Sequence, residues 1–178
     1  MPISIIPFNM PEPAEIPAHI IESLKSLPPG EAVAKSMELL MQIEAAETMV
    51  YERIGAEGTT ELGHVAGARA EELRALLERD TERSFAGQDG GGNSALLIMG
   101  QVSAEEENPL PAGVIKFLLE GAESGMIGFS YVLPLKGSSG QLLGALTLIR
   151  SAASGPLNHE QPNICEAMRR ELCQMLEA

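Results

Sequence analysis

The sequence predicts an α+β fold: an antiparallel sheet with helices packed on one face and long amphipathic helices in its N-terminal half. Three observations predict it. Ile127–Lys136 (IGFSYVLPLK) alternates, so that Ile127, Phe129, Tyr131, Leu133 and Leu135 share one side, and it is followed by a turn and a second apolar run. Three stretches, near 31–54, 60–84 and 159–177, carry apolar residues at helical spacing. Hydrophobic residues make up 44% of the 178, enough for one packed core without disulfides or metals.

The chain divides into a Pro-rich N-terminal arm, residues 1–30, and a single α+β domain, residues 31–178. The arm holds seven prolines and has room for one short helix around His19–Ser26, ended by Pro28-Pro29-Gly30. Such an arm either lies across its own domain or a neighbouring subunit, or trails free. A first helix is predicted over 31–54 from the spacing of Val33, Met37, Leu40, Ile43, Val50 and Ile54, with Glu47 interrupting the stripe and Gly55 ending it. A second is predicted over 60–84, with Thr60 as N-cap and Leu62, Val65, Ala66, Leu73, Leu76 and Leu77 on its apolar side. Helices of this length span about 36 Å, and their apolar faces suit a dimer: Met37, Leu40, Ile43, Leu73 and Leu76 are the candidate dimer-helix residues.

Strands and helices are predicted over the remainder, 94–178. Gln88–Asn93 is a turn, and its glycines lack the Lys-Ser/Thr of a phosphate-binding P-loop. Ser94–Val102 reads as a buried strand, Glu105–Glu107 as a solvated loop, and Pro111–Glu123 as a short helix. Gly137-Ser-Ser-Gly140 is hairpin chemistry, and Gln141–Arg150 is the return strand, in which Gly144 marks a bulge or a close backbone approach. A closing helix runs from His159 to Glu177, with Asn158 and Gln161 placed as a capping box.

Charge and composition remove several function classes. Twenty-five acids against 12 bases give a formal charge of −13, and no cluster of bases appears, which argues against nucleic acid and against anionic membrane surfaces. No apolar run is long enough to span a bilayer and no signal peptide is recognisable, so a cytoplasmic location is expected. The two cysteines, Cys165 and Cys173, would lie about 12 Å apart along one helix, too far for a disulfide. Aromatic residues supply only 3%, so the core falls to aliphatic side chains and nine methionines.

Reactive chemistry is not visible. His19, His64 and His159 form no ligand-spaced pair, and the cysteine spacing is that of no zinc finger, so no metal and no cofactor is expected. There is no nucleophile elbow, and the carboxylates lie where helix-surface pairing accounts for them. Cys165, near a helix start, is either an activated thiol or a small core residue. The chain is therefore expected not to be an enzyme.

The segment Phe129–Met175 resembles the C-terminal half of GAF domains. The likeness rests on Val132-Leu133-Pro134-Leu135, the turn Gly137–Gly140, Leu143-Gly144-Ala145-Leu146-Thr147-Leu148 and the helix from His159. The resemblance implies an antiparallel sheet with helices on one face, dimerisation through terminal helices and sensing of small molecules. Expected, then, is a sensory or regulatory domain acting as a homodimer that binds a small molecule or a protein partner. The alternative is an assembly or chaperone-like factor with a filled core. Any pocket is expected to be lined by Met99, Phe117, Phe129, Tyr131 and Leu146, from the alternating strand and the elements above it.

Overall fold

The computed structural model describes residues 4–8, 11–54, 60–79, 95–99, 129–151 and 153–177. In chain order these form β1 (Ser4–Phe8), α1 (Ala18–Lys25), α2 (Pro29–Gln42), β2 (Thr48–Ile54), β3 (Thr60–Gly67), α3 (Ala70–Arg79), β4 (Ala95–Met99), β5 (Phe129–Lys136), β6 (Leu142–Arg150) and α4 (Gln161–Glu177). The strands make one six-stranded sheet in the order β1-β4-β5-β6-β2-β3, with every neighbouring pair antiparallel.

The two long N-terminal helices are replaced by a helix and strand, then a strand and helix. α2 stops at Gln42, thirteen residues before the first glycine of that region, by a Schellman turn. Glu44 takes the left-handed conformation (φ 60°), its N–H donates to Met41 O (3.0 Å) and the Ala45 N–H donates to Leu40 O (3.0 Å). A glutamate at that position gives no warning in the sequence. Beyond it, Val50 and Ile54 fit a helical stripe by coincidence, because β2 lies inside the sheet and buries both faces over most of its length. Likewise Thr60 opens a strand and not a helix, and α3 begins only at Ala70, after Gly67 (φ 99°) and Arg69 (φ 57°) turn the chain.

Against one face of the sheet pack α1, α2 and α4. Leu24, Met37, Leu40, Cys165, Met168 and Leu172 meet Met49, Tyr51, Tyr131, Leu133, Leu135, Leu146 and Leu148. Gly63 makes room for this layer, since a Cβ there would stand 2.4 Å from the Tyr51 ring. The opposite face carries α3 alone among the described helices, with Leu73 and Leu77 over Val50, Val65, Val132, Ala145 and Ile149. The expectation of helices on one face thus gains a fourth helix on the other.

The β5–β6 hairpin follows the sequence reading closely. Tyr131 pairs with Leu148 and Leu133 with Leu146, with a bulge at Leu135/Lys136, and the Gly137 N–H donates to Gln141 O (2.9 Å) across the turn. Gly144 is a close approach: a Cβ there would meet Glu52 O at 2.4 Å on neighbouring β2. The arm beyond β1 lies on its own domain. The Ala14 N–H donates to Asn163 O (2.9 Å) and the Asn163 side chain donates to Glu12 O (2.9 Å).

Candidate functional site

On the helix-packed side the polar groups of Tyr131, Arg150 and Glu166 are satisfied, while Glu171 Oε2 on α4 has no partner among the described residues. The Tyr131 hydroxyl accepts from the Leu157 N–H (3.1 Å). Arg150 donates to Glu44 O (2.7 Å), Ala45 O (2.8 Å), Gly155 O (2.7 Å) and Ser154 O (3.1 Å). Glu166 receives Arg169 twice at 2.7 Å and Arg170 at 2.9 Å. A hollow of about 380 Å³ beside Arg150 is lined by Glu44, Glu47, Ser154 and Gln161, whose groups largely serve one another. The Glu47 carboxylate takes the Ser151 N–H and hydroxyl and the Ser154 hydroxyl. Burial pushes its pKa up, but those hydrogen bonds outweigh burial and hold it below the usual carboxylate value.

This layer contains three of the five pocket residues that the sequence pointed to. Tyr131 and Leu146 are core residues against the helices, and Phe129 is half-buried beside them. Met99 sits at the end of β4, in register with Phe129 on one side and Ser4 on the other. Phe117 falls outside the described residues. Alternation located a common face correctly, but that face is the one the helices fill. Of the candidate dimer residues, Met37, Leu40 and Leu73 are likewise spent in the monomer's own core, while Ile43 and Leu76 are half-buried. Apolar periodicity marks what must be covered, not whether a partner or the chain itself covers it.

Cys165 resolves as a core thiol: it is fully buried, and burial pushes its pKa up to about 12. His64 lies on β3 in register with Tyr51. Among the described residues no three His, Cys, Asp or Glu side chains gather where an ion could be held. Nor does any described helix have the length and apolarity to cross a membrane.

The α3-side face holds what periodicity missed. On β5, β6 and β2 the registers Ser130↔Ile149↔Thr48, Val132↔Thr147↔Val50 and Pro134↔Ala145↔Glu52 define three rows across the sheet. Ser130, Thr147 and Glu52 therefore fall on a diagonal across three strands, set among Val132, Ile149, Val50 and Ala145, with Thr48 a second buried polar residue of β2 on this face. All three are buried: Glu52 is 2% exposed, Ser130 1% and Thr147 0%. The hydroxyls of Ser130 and Thr147 have no hydrogen-bond partner among the described residues. An unmet buried hydroxyl costs about 1–3 kcal/mol, and in a native protein such a group calls for an explanation, a role in a site being one. A signal was present in the sequence, namely the polar residues Ser130, Thr147 and Glu52 set inside the largely apolar strand runs FSYVLPLK, LLGALTLIR and TMVYERI.

Solved structures superpose over most of this chain. The GAF domain/HD domain protein from Geobacter sulfurreducens matches with a TM-score of 0.62 at 12% identity, covering 84% of this chain and 93% of that one. The fold is that of a GAF domain. A GAF domain from Pseudomonas syringae pv. tomato, assigned to a sensor histidine kinase, gives 0.57 at 16% identity over 89% of this chain and 83% of its own. The phycoerythrobilin-bound GAF domain of a cyanobacterial phytochrome gives 0.51 at 9% identity over 92% and 96%. No protein-family model and no curated protein matches the sequence. The GAF likeness first visible in Phe129–Met175 thus extends over most of the chain, and the polar diagonal lies on the α3 side of the GAF-like sheet.

Proposed function

We propose that this GAF-like domain is a non-catalytic sensory or regulatory module that binds a small molecule on the α3-side face of its sheet. The single observation that carries the reading is the pair of buried hydroxyls of Ser130 and Thr147, without a partner among the described residues. A constitutive structural layer gains nothing by keeping them, whereas a ligand that meets them recovers their cost. The GAF-like neighbours from a sensor kinase and a phytochrome agree with a sensory role. The proposal includes association as a homodimer in the cytoplasm, through surfaces other than Met37, Leu40 and Leu73. One such surface is the apolar hollow of about 340 Å³ among Leu24, Leu27, Pro29, Ala32 and Met175.

The second reading, an assembly factor with no ligand, is favoured by the solid helix-packed layer around Tyr131 and Leu146. Native mass spectrometry of freshly purified protein separates the two. The sensor reading expects a dimer carrying a small molecule that is lost in the Ser130→Ala/Thr147→Val double variant. Wild type and double variant each at its own bare sequence mass, with no adduct in either preparation, sinks it.

A further inference from the structure

Independently of the ligand reading, we infer that the outer edge of β3, with the notch between it and α2, takes an extended basic peptide as an added strand. β3 ends the sheet order, and among the described residues nothing pairs with its far side. Such an edge offers a row of N–H and C=O groups to an incoming strand. The opposite edge strand, β1, carries Pro7, a residue with no N–H to offer. Beside the β3 edge lies a hollow of about 490 Å³ with an apolar floor of Leu27, Ala34, Met41 and Ala66. His64 stands in register with Tyr51 and Ala66 with Met49, so both lie on the side of the sheet where α2 packs. A strand laid along β3 would sit about 4.8 Å further out. Its alternate side chains would then enter the hollow alongside α2.

Two observations choose the occupant. The first is charge. The α2 wall of the hollow carries Glu31 and Glu38 against Lys35. Lys35 pairs with Glu38 (3.4 Å), and Glu31 has no ion pair among the described residues. A lysine or arginine suits both parts of the hollow, its stem covering the apolar floor and its head reaching the acids. The chain's formal charge of −13 draws in such a peptide and repels a second copy. The second observation is the bulge. His64 faces Tyr51 and Leu62 faces Glu52, so Gly63 is an extra residue on β3. A bulge interrupts long edge-to-edge pairing. It leaves His64, Val65 and Ala66 as a regular run beside the hollow, which a short peptide can use and a sheet-to-sheet contact cannot.

Three labelled peptides test the inference against the full chain. One alternates lysine and valine, one alternates glutamate and valine, and one is the lysine peptide N-methylated on its backbone, which keeps the charge and loses ladder donors. Fluorescence anisotropy, taken to millimolar protein, is expected to detect the lysine peptide alone. Its binding should slow hydrogen exchange at the amides of His64, Val65 and Ala66. Ala34→Trp, which fills the hollow from α2, should abolish binding, and Glu31→Lys and Glu38→Lys should each weaken it about 2- to 5-fold. Equal binding of the glutamate or the N-methylated peptide overturns the inference, as does absence of binding by all three. Undiminished binding by an Ala34→Trp variant that melts cooperatively overturns it too. Slowed exchange at His64–Ala66 that grows with protein concentration, without any peptide, makes the occupant a second copy and likewise overturns it.

Discussion

The two faces of this sheet are built from the same strands and obey different rules. Toward α1, α2 and α4, side chains interlock and three polar groups have their partners: Tyr131 with Leu157, Arg150 with four carbonyls, Glu166 with two arginines. Toward α3, a shorter apolar cluster surrounds the hydroxyls of Ser130 and Thr147. Stability resides in the first face. The second retains two buried hydroxyls without a partner among the described residues, which cost stability.

Substitutions can break or sharpen that contrast. The largest effect belongs to the filled face: Leu148→Ala, which empties a fully buried site, should lower unfolding stability by about 3 kcal/mol in denaturant titration. Next comes the seam between β6 and β2. Gly144→Ala places a methyl group against Glu52 O, and a loss of about 2 kcal/mol is expected by the same measurement. On the α3 side the sign should reverse. Thr147→Val keeps the shape and removes an unmet hydroxyl, so the ligand-free protein should gain about 1 kcal/mol, seen as a higher melting temperature. A loss there would mean that the hydroxyl is satisfied, and the contrast between the faces would fail.

Acid should bear only lightly on the comparison, through the helix-packed side. Burial raises the pKa of Glu166, but the bonds from Arg169 and Arg170 outweigh it, so its folded pKa lies below the ordinary carboxylate value. Glu47 is lowered in the same sense. Their contribution is thus fully present above pH 4.5 and is lost as pH falls through the folded values. Chemical denaturation midpoints should be flat above that range and decline below it. Glu166→Gln should flatten the decline.

How much of this was legible in the sequence depended on where each segment sits in the sheet. The β5–β6 hairpin was legible because Gly137 and Gly140 bracket its turn and Ile127–Leu135 alternates. The capping box expected at the closing helix forms only in part: the Asn158 N–H donates to Gln161 Oε1 (3.1 Å), but His159 is left-handed (φ 51°) and α4 starts at Gln161, two residues later than expected. The stretches 31–54 and 60–84 misled because a buried strand has no polar side to betray its period of two, and because Glu44 ends α2 without a glycine. The site was missed for a related reason. Apolar alternation finds cores, whereas the informative residues were the polar exceptions Glu52, Ser130 and Thr147 inside those runs.

Arg150 has a mechanical consequence. Its guanidinium joins the end of β6 to carbonyls of residues 44–45 and 154–155, and Gln161 Nε2 donates to Ile43 O and Glu44 O from the first turn of α4. Parts of the chain more than a hundred positions apart are thereby riveted at one corner. Thr147 lies three residues before that corner on the same strand, so a shift of β6 strong enough to move it must carry the ends of α2 and α4 along or shear those bonds.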